Sequence, residues 1–272
     1  ADVVYTVEQP NGEAIRLSVG EPVSVEISLP QSGRYCLLLS YHALEEIVLK
    51  STLLVDIANQ RCRTQVYSLW QDKSKEYPTD RYGNEMPPEQ VAVHSPVTDY
   101  VVDQSSVSRR PFSFELPPGT SRLVLTSDDV DLDLYRIQVV REQQLPSYEE
   151  YAAEIAGKPA GKDFVTVEGE DYLVKSDSYI RAGAERNPAL HPYDYRTKKL
   201  NVLDAASFST AGQKVMYEFD IKQAGIYLIS FRYSQNYKED IPVYRHVRID
   251  SHELCEVLHS VPFFYTGTNY AN

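Results

Sequence analysis

The chain has 272 residues, 42% of them apolar, and a formal net charge of −12. This composition supports a sizeable core, and no apolar run approaches the roughly 18 residues that a membrane-spanning helix needs. The acidic excess argues against a nucleic-acid partner, because phosphate binding requires clustered lysine and arginine. The cysteines form no disulfide framework; they are Cys36, Cys62 and Cys255.

The stretch SVEISLPQSGRYCLLLSY occupies residues 24–41. Apolar residues alternate at Val25, Ile27 and Leu29, the turn carries Ser-Gly, and an apolar run with tyrosines follows. This pattern predicts a strand, a tight turn and a second strand, which we interpret as a hairpin. Residues 121–140 (SRLVLTSDDVDLDLYRIQVV) likewise predict two strands around a solvated acidic turn.

A short helix is predicted near residues 148–156. Ser147 can cap its N-terminus, and two glutamates lie in the first turn, where carboxylates are favourable. Gly157 and Pro159 come directly afterwards, and both residue types end helices.

The stretch MYEFDIKQAGIYLISFRY, residues 216–233, repeats residues 24–41 without a gap at an offset of 192. The identical pairs are Glu26/Glu218, Gln31/Gln223, Gly33/Gly225, Tyr35/Tyr227 and Tyr41/Tyr233. VTVEG at 165–169 similarly resembles YTVEQ at 5–9, at an offset of 160. Repetition over such distances indicates duplicated domains rather than a solenoid with a short period. We therefore expect the two turns and their flanking strands to superpose.

The second copy differs from the first in two places. Since the offset grows from 160 to 192, it carries 32 additional residues before its turn, including the polar loop RAGAERNPALHPYDYRTKKLN. Long loops on a rigid sandwich often carry recognition. Past Gly33 the first copy continues to Val140, whereas fewer than half as many residues follow Gly225. We expect the apolar edge of the second copy, including residues 263–265, to be covered by the first copy, the linker or a second chain.

The rest of the chain shows many short strand patterns separated by Gly, Pro and Asn turns, which is typical of antiparallel sandwiches. We predict an all-β protein with two tandem antiparallel β-sandwich domains. The first spans 1–142, a helical linker spans 143–162, and the second domain spans 163–272 and is incomplete at its C-terminus.

Signatures of catalysis are missing: there is no nucleophile elbow, phosphate loop, His-Glu-x-x-His or Cys-x-x-Cys motif. We therefore expect that the chain is not an enzyme. The sequence HELCEVLH contains His252, Cys255 and His259, residue types that bind zinc, but their spacing fits no common zinc motif. We interpret them as edge residues of the sandwich.

Aromatic residues are the strongest candidates for a binding site. Sugar rings pack their C–H faces against aromatic planes, while acidic, amide and guanidinium groups bond the hydroxyls. Such residues share a polar, turn-rich stretch at 67–82, and further tyrosines lie in the inserted loop and beyond it. The candidate sugar-binding residues are Tyr67, Trp70, Tyr77, Tyr82, Tyr193, Tyr195 and Tyr237. The alternative is a core tryptophan with scattered loop tyrosines.

The sequence VTVEGEDY, residues 165–172, resembles the opening strand of galactose-binding-like jelly rolls, including family 6 and family 35 carbohydrate-binding modules. This resemblance implies a jelly-roll topology and suggests Glu168 and Glu170 as calcium ligands, although no cofactor is required. LPSYEEYAAEI, HPYDYRTKKLNVLD, GIYLISFRYSQNY and YRHVRID are similar to the non-catalytic region of large bacterial extracellular solute-binding proteins of sugar ABC transporters. That similarity covers about 145–272.

These resemblances imply a non-catalytic, extracellular and cell-surface-associated region of a bacterial sugar ABC transporter solute-binding protein. Such a region would bind glycans or act as a spacer, with its signal and anchor outside this sequence. The expected partners are glycans, a solute-binding unit or transporter component, and a second copy of the chain. The alternatives are an accessory module of a polysaccharide-degrading enzyme and a purely structural protein-interaction region.

Overall fold

The computed structural model describes residues 2–272, which form an all-β protein with several antiparallel sheets and a short helix. The chain divides into two compact units. The first unit holds the residues up to Glu142 together with Thr166–Phe219, and the second holds Gln143–Val165 and Asp220–Asn272. The predicted domain limits of 1–142, 143–162 and 163–272 describe independently folding domains, and they stay a prediction.

No helix among the described residues has the length and apolar character to cross a membrane.

The described residues of the first unit, from residue 2 onward, form sixteen short strands. In chain order they are β1 (Val3–Glu8), β2 (Ile15–Leu17), β3 (Val23–Leu29), β4 (Gly33–Ala43), β5 (Ser51–Ile57), β6 (Gln60–Val66), β7 (Leu69–Asp72), β8 (Gln90–Val93), β9 (Val97–Tyr100), β10 (Phe114–Leu116), β11 (Gly119–Ser127), β12 (Leu132–Arg141), β13 (Val174–Lys175), β14 (Ala182–Gly183), β15 (Val202–Leu203) and β16 (Val215–Met216).

Two of the sheets enclose the main core. One has the order β1-β12-β4-β10, with β2 added beside β12 and β9 beside β4, and the other has the order β3-β11-β5-β6. Alternate residues of these strands are buried, as in β5, where every second side chain points inward. The buried residues of both sheets belong to one apolar cluster that includes Ile27, Leu37, Val55, Leu123 and Ile137. Two antiparallel sheets sharing one core form a β-sandwich.

The predicted hairpins in the first copy are wrong in their pairing, although the strands themselves are confirmed. β3 pairs with β11, whereas β4 pairs with β9, β10 and β12. The turn between β3 and β4 therefore connects the two sheets. The predicted pair at 121–140 separates in the same way, because β11 and β12 lie in different sheets. Alternation specifies which face of a strand is buried but not which strand lies beside it.

The segment Thr166–Phe219 adds two smaller sheets to the first unit. One has the order β16-β13-β7-β8, and the other pairs β14 with β15. The predicted opening strand at 165–172 is wrong: these residues, all of them described, contain no strand, and Glu168 begins a turn closed by the Asp171 N–H. The pairing of β13 with β7 attaches this segment to the strand that carries Trp70.

The second unit begins with the predicted helix, α1 (Tyr148–Ile155). The Ser147 hydroxyl accepts the Glu150 N–H, and the Glu150 carboxylate accepts the Ser147 N–H, which is a capping box. Further along, β17 (Val243–Arg245) pairs with β18 (Val261–Phe263), and a 3₁₀ helix spans Glu256–His259.

The second copy of the repeat is less regular than predicted. Beyond β16, residues 217–233 contain no strand, although every one of them is described. Its turn is closed by the segment 159–161: the Gly161 N–H donates to the Ile226 carbonyl, and the Ile226 N–H donates to the Pro159 carbonyl. The segment 159–161 lies within the predicted linker, 143–162, and its contact is with the turn rather than with residues 263–265. Covering by a second chain stays a prediction, as does the incomplete second sandwich.

The C-terminal aromatic run is partly packed within its own unit. Phe263 lies in β18, and its ring meets those of Phe231 and Tyr233 at centroid distances of 5.7 Å and 4.8 Å. Phe264 and Tyr265 remain exposed. Residues 263–265 therefore contribute one side chain to a small aromatic cluster and two to the surface.

Candidate functional site

The loop 78–86 of the first unit is organised by one aspartate. The Asp80 carboxylate accepts the N–H groups of Tyr82 at 2.7 Å and Asn84 at 3.0 Å, and it also accepts the Asn84 amide. The bonds to Asn84, and then that to Tyr82, lower the pKa of Asp80 below its usual value. This closed turn presents Tyr82 at its tip, where the side chain is 67% exposed.

Gly83 is required by this turn for two reasons. Its φ is +80°, a region that favours glycine, and an added Cβ would lie 3.3 Å from the Thr197 methyl group. A larger residue at this position would strain the turn and push against the inserted loop.

The inserted loop 191–201 is shaped by a second aspartate and a buried amide. The Asp194 carboxylate accepts the Arg196 N–H at 2.7 Å, and this bond is the main cause of a lowered pKa for Asp194. The buried Asn201 side chain donates to the carbonyls of Glu185 and Pro192. Pro192 directly precedes Tyr193 in the sequence. The bond from Asn201 to the Pro192 carbonyl therefore anchors the loop beside Tyr193.

Hydrogen bonds join these two loops although they lie more than 100 residues apart in the sequence. The Lys198 N–H donates to the Asn84 side chain at 2.9 Å, and the Glu85 N–H donates to the Lys198 carbonyl at 2.9 Å. The Glu85 carboxylate accepts the Leu200 N–H and pairs with Lys199, both at 2.8 Å. We call the joined loops, 78–86 and 191–201, the two-loop surface.

The two-loop surface carries aromatic rings with arginines against them. The Arg81 guanidinium carbon lies 4.6 Å from the centre of the Tyr82 ring, and that of Arg196 lies 5.1 Å from the centre of the Tyr195 ring. Arg196 Nε also donates to the Tyr195 hydroxyl at 2.6 Å. Tyr195 is 70% exposed, so much of its ring surface stays open. The surface thus combines flat apolar rings with hydrogen-bonding groups at their edges.

Three of the predicted sugar-binding residues therefore lie in the two joined loops: Tyr82, Tyr193 and Tyr195. Tyr193 is exposed as well, although less than the other two. Sequence reasoning identified these residues but did not link the loops. The sequence feature that could have indicated the junction is the pair of opposite charges at Glu85 and Lys199. Acidic and basic residues are so common that the sequence alone does not show which of them pair over such a distance.

Two other predicted residues, Tyr67 and Trp70, are buried in the first unit. The Trp70 indole N–H donates to the Ile47 carbonyl at 3.1 Å, and only 5% of the residue is exposed. The Tyr67 ring meets that of Tyr41 edge to face, and its hydroxyl donates to Asp99 at 2.9 Å. Their faces are occupied by protein, so in this conformation they serve the core and offer no stacking surface for a sugar.

The remaining predicted aromatics lie elsewhere. Tyr77 is half-buried, and burial, followed by the charge of Glu170, raises the pKa of its hydroxyl. Tyr237 belongs to the second unit, is largely exposed, and has the Lys238 ammonium 5.6 Å from its ring centre. A sugar-binding role for either residue stays a prediction.

The predicted calcium ligands are placed differently from one another. Glu168 is exposed, whereas Glu170 is buried, and burial raises the pKa of Glu170 to about 7. Among residues 2–272, Glu170 Oε2 is a buried atom without a hydrogen-bond partner, and no third carboxylate converges with this pair at metal-binding distance. Calcium prefers six to eight oxygen ligands, so the pair alone does not supply a calcium cage. Calcium binding by these residues stays a prediction.

Beside Glu170 lies a buried polar cluster that the sequence did not reveal. The Lys175 side chain is fully buried, donates to the Ile180 carbonyl and lies 3.5 Å from Asp72. The Tyr172 hydroxyl donates to the same Asp72 carboxylate at 3.0 Å. Burial lowers the pKa of Lys175 to about 8. Asp72 is the last residue of β7, and Lys175 is the last residue of β13. The cluster therefore attaches the segment Thr166–Phe219 to the strand β7.

No protein-family model matches this chain, and no curated protein matches it. Several solved structures resemble parts of it. A Podospora anserina GH26-CBM35 β-(1,4)-mannanase matches 54% of this chain and 29% of its own length, with 12% identity and a TM-score of 0.32. The catalytic unit of a GH87 α-1,3-glucanase from Streptomyces thermodiastaticus matches 55% of this chain and 24% of its own length, with 14% identity and a TM-score of 0.31.

A family 35 carbohydrate-binding module from Clostridium thermocellum matches 44% of this chain and 69% of its own length, with 10% identity and a TM-score of 0.24. The chain thus spans less than a third of the two enzymes that it resembles.

Proposed function

We propose that the first unit binds sugar rings of extracellular glycans on the two-loop surface. The observation that supports this proposal is the hydrogen-bonded junction between residues 84–85 and 198–200, which joins the loop of Tyr82 to the loop of Tyr193 and Tyr195. A surface fixed before binding loses little conformational entropy when a ligand arrives.

The chemistry of the surface favours a carbohydrate. The rings of Tyr82 and Tyr195 provide flat apolar faces of the kind that pack against the C–H face of a sugar. Their hydroxyls, with Arg81 and Arg196 beside them, provide donors and acceptors for ring hydroxyls. The two rings are largely exposed, so we expect a dissociation constant of about 10 µM to 1 mM, equivalent to roughly −7 to −4 kcal/mol.

The wider setting of this binding is also a proposal. The chain would act outside the cell as a non-catalytic region of a bacterial sugar ABC transporter solute-binding protein. The sequence resemblance over about 145–272 supports this setting. An accessory module of a glycan-degrading enzyme would use the same surface to hold a polysaccharide near a catalytic domain. A purely structural region would have no sugar site at all.

Glycan arrays, followed by calorimetric titration with the best ligands, test the proposal. The double substitution Tyr82→Ala with Tyr195→Ala should weaken binding at least about tenfold, because both ring contacts are lost. Tyr179→Ala is the matched control, since Tyr179 is an exposed tyrosine of the first unit that lies outside both loops. If no glycan binds, or if the double variant binds as the wild type does, the proposal is wrong and the structural alternative is favoured.

A further inference from the structure

Two histidines and a glutamate of the second unit converge on one point. They are His246, Glu253 and His259, and among residues 2–272 their potential ligand atoms all lie within 4.8 Å of one another. His246 Nε2 lies 2.6 Å from one carboxylate oxygen of Glu253, and His259 Nδ1 lies 3.0 Å from the other. The two imidazole rings are 4.5 Å apart between their centres.

A tight turn and a short helix create this convergence. After β17, which ends at Arg245, the chain reverses at Asp250 and Ser251, whose φ angles of 48° and 65° are typical of a type I′ turn. The Val247 N–H then donates to the Leu258 carbonyl, which brings the end of the 3₁₀ helix back against the strand. His246 and Glu253 therefore face each other across the turn, and His259 joins them from the helix end.

This cluster differs from the three residues of HELCEVLH whose types can bind zinc, His252, Cys255 and His259. Of the trio in HELCEVLH, His252 lies exposed on the turn with Nδ1 2.6 Å from the Asp250 carbonyl, and Cys255 is buried outside the cluster. Only His259 is shared. The additional histidine comes from YRHVRID, which precedes the turn.

We propose that His246, Glu253 and His259 bind one divalent transition-metal ion, with zinc as the best match. Two imidazoles and one carboxylate are a ligand set that zinc uses, and a fourth position would remain open for water or an external ligand. Ligand atoms about 2.0–2.1 Å from a tetrahedral ion lie roughly 3.3 Å from one another. The observed separations are 2.6 Å and 3.0 Å from the carboxylate to the two histidines, and the third is at most 4.8 Å, so one ion is within reach of all three residues.

The two histidines contact the carboxylate differently, because His259 Nδ1 and Glu253 Oε2 form a hydrogen-bonded pair at 3.0 Å. His246 Nε2 is buried and close to Glu253, yet the angles are not those of a hydrogen bond. Arg248 Nε lies 3.8 Å from Glu253 Oε1. That arginine would remain an outer partner of the carboxylate, as groups around metal ligands commonly do. The competing interpretation is an ion-paired cluster of Glu253 with Arg248 and the two histidines.

Metal titration of the full chain distinguishes the two interpretations. After chelator treatment and dialysis, calorimetry with zinc chloride should give one ion per chain, and cobalt(II) should show the absorption of a four-coordinate ion. His246→Gln and Glu253→Gln should each weaken zinc binding at least about tenfold. Zinc should also raise the melting temperature of the wild type, because it binds the folded state.

His252→Gln and Cys255→Ser are the matched controls, and both should bind zinc as the wild type does. Circular dichroism would verify that each variant is folded, and the cobalt spectrum of the wild type decides the question should a ligand variant fail to fold. The proposal is overturned if the wild type binds no zinc with defined stoichiometry. It is equally overturned if binding survives in folded His246→Gln or disappears in Cys255→Ser alone.

Discussion

The two copies of the repeated sequence share a local contact and differ in nearly everything around it. In the first copy the Tyr35 hydroxyl donates to the Gln31 carbonyl at 2.9 Å. At the same positions of the second copy, the Tyr227 hydroxyl donates to the Gln223 carbonyl. Four residues separate donor and acceptor in each case, so this corner is specified by the repeated residues themselves.

The strands that flank the corner are regular only in the first copy. Leu37 is fully buried in β4, whereas its counterpart Ile229 is 48% exposed. Leu39 is likewise buried and its counterpart Phe231 exposed. β3 and β4 pair with β11 and β12, which follow about 100 residues later. The corner is thus encoded locally, while strand regularity and burial depend on distant partners.

Alanine at the turn glycines should show the largest difference between the copies. A Cβ on Gly225 would lie 2.5 Å from the backbone nitrogen of Gly161, which cannot move freely. We expect Gly225→Ala to cost about 4 kcal/mol and to release the segment 159–161. A Cβ on Gly33 would meet only the Tyr35 ring at 3.3 Å, so Gly33→Ala should cost about 1 kcal/mol.

Hydrogen exchange at Gly161 and Ile226, with limited proteolysis, would measure the effect at Gly225. Denaturant unfolding would measure the effect at Gly33. Equal costs in the two copies would contradict the close backbone approach that distinguishes the second turn.

Truncation of equivalent apolar residues tests the contrast in burial. Leu37→Ala removes methyl groups from a fully buried position in β4 and should destabilise the first unit by about 3 kcal/mol. Ile229→Ala removes a half-exposed side chain and should cost less than about 1 kcal/mol. Urea denaturation of the two variants against the wild type measures both values. A larger loss for Ile229→Ala would mean that the second copy is more tightly packed than the structure shows.

The segments at the start of the two copies, residues 5–10 and 165–170, differ in a carboxyl group whose effect on stability should depend on pH. Glu170 stands where the first copy has Pro10, and burial raises the pKa of Glu170 to about 7 from 4.5. Between about pH 4.5 and pH 7, the Glu170 carboxyl is therefore protonated in the folded state and ionised in the unfolded state. The stability that Glu170 contributes at low pH is lost as the pH rises through this range. Glu170→Gln should be more stable than the wild type above pH 7, by up to about 3 kcal/mol.

The difference between wild type and Glu170→Gln should vanish below about pH 4.5, where the carboxyl is protonated in both states. Glu168→Gln is the matched control, because Glu168 is an exposed neighbour. Unfolding curves at a series of pH values measure both variants. A difference that is independent of pH would show that Glu170 is not buried as a neutral acid.

Strand positions in the first copy could be predicted from the sequence, but strand partners could not. The alternation of Val25, Ile27 and Leu29 identifies β3, and the same pattern would arise whether β3 paired with β4 or with β11. Thr166–Phe219 belongs to the same compact unit as the first copy, and no local pattern in the sequence indicates this packing. It depends on the buried charge of Lys175 and on other long-range contacts that leave no periodic pattern.

The candidate site was predictable in its residue types and not in its geometry. An aromatic residue in a polar stretch looks the same whether it is buried, as Trp70 is, or exposed, as Tyr82 is. The junction through Glu85 and Lys199 joins residues that are distant in sequence, and the convergence of His246 with His259 depends on a turn at Asp250. Each is a product of tertiary structure rather than of local propensity.

The smallest expected effect concerns the shared corner itself. Tyr35→Phe removes a hydroxyl whose residue is fully buried and leaves the Gln31 carbonyl without that donor, so we expect a loss of about 1 kcal/mol in denaturant unfolding. In the second copy the turn has another support: the Asp163 carboxylate accepts the N–H groups of Lys222 and Gln223, each at 2.8 Å. Tyr227→Phe should therefore perturb its turn less than Tyr35→Phe perturbs the first.

Hydrogen exchange at the amides of Lys222 and Gln223 makes this comparison direct. Their protection should persist in Tyr227→Phe, because the Asp163 carboxylate still accepts both N–H groups, and it should be lost in Asp163→Ala. Position 163 corresponds to Val3 at the offset of the opening repeat, so the first copy has no such carboxylate and relies on its tyrosine and its partner strands. The Tyr227 hydroxyl also donates to the Asp163 carboxylate at 3.3 Å, so loss of protection in Tyr227→Phe would mean that this hydroxyl is needed to hold the carboxylate against the two N–H groups.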